Sequence, residues 1–148
     1  MCLEMCAPEV LETILKFRNS DQFEKLIKWY FERQGATTNI PAKSEREKEG
    51  DADVIATFES LKLIVYVQAK RHEGETDASW AIEQIQRFTE HQIGNNDDEY
   101  TRIPWVVSTA EFSEDCLEEA RRASVRLIDG IEFARMLLDT GIEHLGEL

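Results

Sequence analysis

The chain has 148 residues, 42% of them hydrophobic and 32% charged, which suits a folded core and excludes a disordered segment. Its longest apolar runs are a handful of residues, too short for a membrane span, and its first residues carry glutamates where a secretory signal would be basic. The formal net charge of −13 argues against a domain that grips nucleic acid by bulk charge, so any action on DNA needs a local basic strip, a metal ion or a separate DNA-reading partner.

This length predicts a single domain over residues 1–148, with its core at about residues 20 to 140. Cys2, Cys6 and Cys116 form no CxxC pair and leave an odd thiol, the usage of a reduced, cytoplasmic protein. His72, His91 and His144 make no HExxH spacing, and Ser108 and Ser113 have no histidine in a triad position.

In chain order, apolar spacing predicts a short helix over Pro8 to Arg18 and a second over Asp21 to Gln34. Asn19-Ser20 supplies the cap of the second, Phe23, Leu26, Ile27, Tyr30 and Phe31 its apolar face, and Gly35 its stop. Ala36 to Pro41 reads as a short strand and Lys43 to Glu49 as a charged loop. A hairpin is expected within Gly50 to Gly74, followed by a polar loop from Arg71 to Thr76. A helix over Ala78 to Gln92 comes next, with Trp80, Ile82, Ile85 and Phe88 inward, and then an acidic loop over Gly94 to Glu99. Pro104 to Ser108 and Val125 to Ile128 read as strands. They alternate with a Ser113-capped helix to Ala123 and a last helix over Ile131 to Asp139, a β-α-β-α order that predicts parallel crossovers.

The hairpin's register can be derived. If Glu59 to Lys62 is a tight turn, Phe58 faces Leu63, Ile55 faces Tyr66 and Asp53 faces Gln68. One face then carries Val54, Ala56, Phe58, Leu63, Val65, Val67 and Ala69. The other carries Ile55, Thr57, Ile64 and Tyr66, with Asp53, Gln68 and Lys70 gathered at one end.

Each of those three residues has a plain reading: a surface acid at a strand start, an amide satisfying a sheet edge, a solvated lysine. Together they form the set that phosphodiester hydrolysis needs. Asp53 offers a carboxylate to a hard cation, Gln68 a neutral oxygen, and Lys70 a positive charge to orient water and offset charge on a scissile phosphate. Asp51 is a second choice as ligand because it precedes the strand. Lys43, Arg46, Lys48, Arg71 and His72 are candidates for a phosphate-contacting rim, although Glu45, Glu47 and Glu49 interrupt it.

GDADVIATF…IVYVQAKRHEG resembles the core motif of the PD-(D/E)XK nuclease superfamily in its Mrr-like branch, which carries Gln-x-Lys in place of Glu-x-Lys. The helix with Phe23-Glu24 that ends near Gly35 resembles the family's first helix. VVSTAEFSEDCLEEARRASVRLIDGIEFARMLL resembles its closing strand, helix, strand and last helix, so the resemblance spans roughly Phe23 to Leu138. It implies an α/β (α+β) restriction-endonuclease-like fold, a central mixed β-sheet flanked by helices. It further implies an endonuclease that hydrolyses DNA with Mg²⁺, or with Mn²⁺ in its place. In that reading Asp53 is the main metal ligand, Gln68 the second, Lys70 the catalytic lysine and Glu24 an auxiliary ligand. A plainer role for Glu24 is an i,i+4 ion pair with Lys28. Two features depart from the family: the approach to Asp53 is reduced to Gly50-Asp51-Ala52, and the Asn95–Glu99 loop is acidic. The expected partners are DNA and either a homodimer or a separate DNA-recognition domain or subunit. The alternative is a non-catalytic DNA-binding or protein-interaction module of the same fold.

Overall fold

A computed structural model describes residues 6–16, 19–42, 50–71 and 75–141. Five helices, α1 (Ala7–Leu15), α2 (Ser20–Arg33), α3 (Ser79–Asn95), α4 (Glu114–Ala123) and α5 (Gly130–Asp139), enclose a five-stranded sheet. Its strands are β1 (Thr37–Asn39), β2 (Val54–Phe58), β3 (Leu63–Lys70), β5 (Thr101–Ser108) and β7 (Arg126–Ile128), in the order β1-β2-β3-β5-β7. β1, β2 and β3 run antiparallel, whereas β5 and β7 add in parallel through α3 and α4. The sheet is therefore mixed, as expected. β4 (Glu75–Thr76) and β6 (Glu111–Phe112) form a separate parallel pair. The expected Arg71–Thr76 loop thus ends in a strand, a pairing across 36 residues that carries no local signal.

Alternation along β2 and β3 builds two cores. Val54, Ala56, Val65 and Val67 face α1, α2 and α5, where Phe23 meets Phe133 edge to face at 5.8 Å and Phe31 approaches Phe58. Tyr66 and, half-buried, Ile55 and Ile64 face α3 and α4, with Ala81, Ile82, Ile85 and Cys116. Trp80 does not join them: it is 61% exposed. At 3.6 residues per turn it stands about 140° round the helix from Ile85, so Ala81 takes the inward place instead.

Local chemistry sets the helix ends. The Asn19 side chain accepts from the Gln22 N–H at 3.0 Å, Ser113 from Cys116 at 3.2 Å and Asp129 from Glu132 at 2.8 Å. Gly35 closes α2 at φ 98°, a left-handed conformation that suits glycine. No helix among the described residues is long and apolar enough to cross a membrane.

Candidate active site

The hairpin keeps the derived register from Phe58–Leu63 to Val54–Val67 and then departs from it. The Asp53 N–H donates to the Val67 carbonyl at 2.8 Å, although Val67 already pairs with Val54. Ala52 packs with the α3–α4 core and Val54 with the opposite one, where strict alternation would have put both on one face. Asp53 is thus the extra residue of a β-bulge, a device that re-aims a side chain at a strand end. The direct Asp53–Gln68 pairing is replaced by a closer tie. Asp53 Oδ2 accepts the Ala69 N–H at 2.8 Å, and that amide is the one between Gln68 and Lys70.

The lead-in to Asp53 is held just as firmly. Gly50 lies against α3, where a Cβ would fall 2.3 Å from the Gln84 carbonyl oxygen, and its φ of 79° is left-handed. Asp51 N–H donates to that same Gln84 oxygen at 3.3 Å. Gln68 is buried and its Nε2 donates to the Asp51 carbonyl at 3.0 Å, which turns the neutral amide oxygen to the other side, where it can serve as a ligand to a cation. Gln68 therefore does satisfy a backbone group, but only with its nitrogen. The Asp51 carbonyl thus takes part in the site's framework, beside the carboxylate that is the second choice as ligand.

Asp53 and Glu24 are both buried, at 5% and 4% exposure, so neither is a surface acid. The alternative for Glu24, an ion pair with Lys28 on an exposed flank, does not hold: Glu24 is buried, and Lys28 Nζ bonds Glu32 at 2.7 Å. Glu24 instead shares the inner side of α2 with Phe23, Leu26 and Ile27. Among the described residues no group of three or more His, Cys, Asp or Glu comes together. The Asp53 carboxylate and the Gln68 amide oxygen are hard donors of the kind that suits a cation such as Mg²⁺, which keeps several waters.

Lys70 is half-buried, and its Nζ donates to the Asp77 carbonyl at 2.7 Å rather than forming an ion pair with Asp53. Asp77, just before α3, was missed; its signal was an aspartate two residues ahead of a helix-starting serine. Its carboxyl is held below the ordinary range, chiefly by the hydrogen bond from the Ser79 N–H. Arg71, a candidate phosphate contact, is occupied elsewhere: its Nη2 donates to the Leu15 carbonyl at 2.7 Å, at the negative end of α1. Lys43, Arg46, Lys48 and His72 lie outside the described residues. A shallow cavity of about 360 Å³ between Gly35, Thr57 and Leu61 sits at the opposite end of the hairpin and has no part in this site.

Residues 16–137 match a family model, Mrr_cat, described as restriction endonuclease. The chain belongs to the Mrr-like restriction endonuclease family, within the PD-(D/E)XK nucleases. For this Mrr-like chain a comparison with curated proteins finds no match. Among solved structures it is similar to the MspJI restriction endonuclease in complex with a 27-mer oligonucleotide, at 23% identity and a TM-score of 0.60. That likeness covers 96% of the Mrr-like chain and 33% of the MspJI chain, so the chain spans about a third of the MspJI length. It is also similar to AF1548, a protein of unknown function, at 16% identity and a TM-score of 0.60, over 84% of this chain and 68% of that one. The likeness to the MspJI structure supports the restriction-endonuclease-like fold.

Proposed function

We propose that this Mrr-like domain is a Mg²⁺-dependent endonuclease that hydrolyses DNA phosphodiester bonds, with Asp53, Gln68 and Lys70 as its working residues. The observation that carries the reading is the hydrogen bond from the Ala69 N–H to the Asp53 carboxylate. It fastens the aspartate to Ala69, the residue between Gln68 and Lys70, so the three act as one constellation at the end of the hairpin. Asp53 and the Gln68 amide oxygen would hold the cation, with Glu24 as an auxiliary acid. When bound, Mg²⁺ or Mn²⁺ supplies Lewis-acid stabilisation of charge on the phosphate. Lys70 orients the attacking water and offsets the negative charge that grows on the scissile phosphate.

The net charge of −13 supports assigning DNA recognition to a separate domain or subunit. Duplex cleavage calls for two such sites, hence a homodimer or a paired subunit. The same charge favours the second reading, a non-catalytic module, which has no use for a cation site that depends on Asp53.

Supercoiled plasmid incubated with the protein and Mg²⁺ or Mn²⁺ should be nicked or linearised. Asp53→Asn and Lys70→Ala should each reduce the rate by about 100-fold or more, the scale of losing one group that stabilises the transition state. Isothermal titration with Mg²⁺ should show binding that Asp53→Ala abolishes. Intact plasmid under all conditions, with Mg²⁺ binding unchanged in Asp53→Ala, would falsify the proposal.

A further inference from the structure

Lys70 is the last residue of β3, and a lysine there has four rotatable side-chain bonds and a mobile point charge. Something must fix its ammonium if it is to work, and Asp53 does not, since the two make no ion pair. The contact that does so is the Asp77 carbonyl, which takes one Nζ donor at 2.7 Å.

That carbonyl belongs to a turn tied down on several sides. Asp77 Oδ1 accepts the Ser79 N–H at 3.0 Å, and the Cys116 thiol points at the same oxygen from 3.7 Å. Ala78 N–H donates to Cys116 Sγ at 3.2 Å, and Ser79 Oγ donates to Glu119 Oε2 at 2.6 Å. Ala78 and Cys116 are both buried in the core between α3 and α4. The turn at Asp77 to Ser79 is therefore clamped against α4, and its Asp77 carbonyl holds the lysine.

We propose that Asp77 is a positioning residue for Lys70. Its side chain freezes the turn whose carbonyl anchors the ammonium, so that the two remaining N–H donors are presented to the phosphate and its water. This inference rests on the reading of Lys70 as catalytic. Asp77 needs no contact with DNA for this role, and as an exposed acid it would disfavour a polyanion.

Two substitutions separate the role from simple stability. Asp77→Ala removes the acceptor for the Ser79 N–H and loosens the turn. Asp77→Asn keeps an acceptor oxygen in the same place. Asp77→Ala should lower kcat between about 10- and 100-fold, the cost of a small misplacement of a catalytic group. KM for plasmid DNA should stay level or fall, and Asp77→Asn should restore most of kcat. ¹⁵N spectra of lysine-labelled protein, without metal or DNA, should show the Lys70 ammonium shifted in Asp77→Ala and near wild type in Asp77→Asn.

An unmoved Lys70 signal in Asp77→Ala overturns the proposal, as does an equal loss in both variants. If wild-type protein shows no metal-dependent cleavage, the catalytic reading falls instead, and the spectra still decide whether Asp77 holds Lys70.

Discussion

Asp53 does two jobs with one side chain. Its amide and carboxylate carry on the strand pairing where the regular ladder ends, through Val67 and Ala69, and the same carboxylate is the first choice as cation ligand. The two jobs can be separated by substitution. Asp53→Asn keeps an acceptor for the Ala69 N–H, whereas Asp53→Ala leaves that amide unsatisfied at a cost of about 1–3 kcal/mol. Urea denaturation should show Asp53→Ala destabilised by that amount and Asp53→Asn close to wild type, with cleavage lost in both. Equal stability of the two variants would mean that the Asp53–Ala69 bond contributes nothing to the fold.

At this scale the sequence was informative about residue types and less so about contacts. Asp53, Gln68 and Lys70 stood out because three polar groups at one end of an apolar hairpin are costly unless paired. The partners that now explain them, Ala69 N–H, the Asp51 carbonyl and the Asp77 carbonyl, are backbone atoms. Residue identity does not announce a backbone partner.

At the scale of elements, period and caps carried most of the fold. The hairpin register followed from a turn of four residues and from unbroken alternation of Val, Ala and Phe against Ile, Thr and Tyr. The bulge at Asp53 did not, because it arises where the lead-in chain is pressed against α3, a contact between distant segments. Trp80 was misplaced for a different reason: a large aromatic was read as inward although its helical angle puts it outside.

Gly50 is where lead-in and helix meet, and it offers the test. Gly50→Ala must place a Cβ 2.3 Å from the Gln84 carbonyl oxygen in a left-handed backbone conformation. The backbone conformation alone costs roughly 1–2 kcal/mol, and the clash adds to it. Thermal unfolding should show a lower Tm, and plasmid nicking should fall with it because Asp51, the partner of Gln68, moves with Gly50. A Gly50→Ala protein with wild-type Tm and activity would show that the lead-in does not set the site.

For the whole molecule, the proposed site lies where β2 begins and β3 ends. The charge stands against that site's substrate: 30 acidic residues against 17 basic ones leave little to attract DNA. Arg71, the candidate of the basic rim that lies among the described residues, is bound to α1. In the proposed function the cation and Lys70 would do the work on phosphate, and a partner the work of holding DNA.

Its central claim is that Asp53 and Gln68 share one divalent ion. Crystals soaked in Mn²⁺ test it directly through anomalous scattering. A Mn²⁺ peak is expected at about 2.0–2.3 Å from the Asp53 carboxylate and the Gln68 amide oxygen, with waters completing the shell. A fully soaked crystal with no peak at Asp53, or with the ion bound by acids elsewhere, would contradict it.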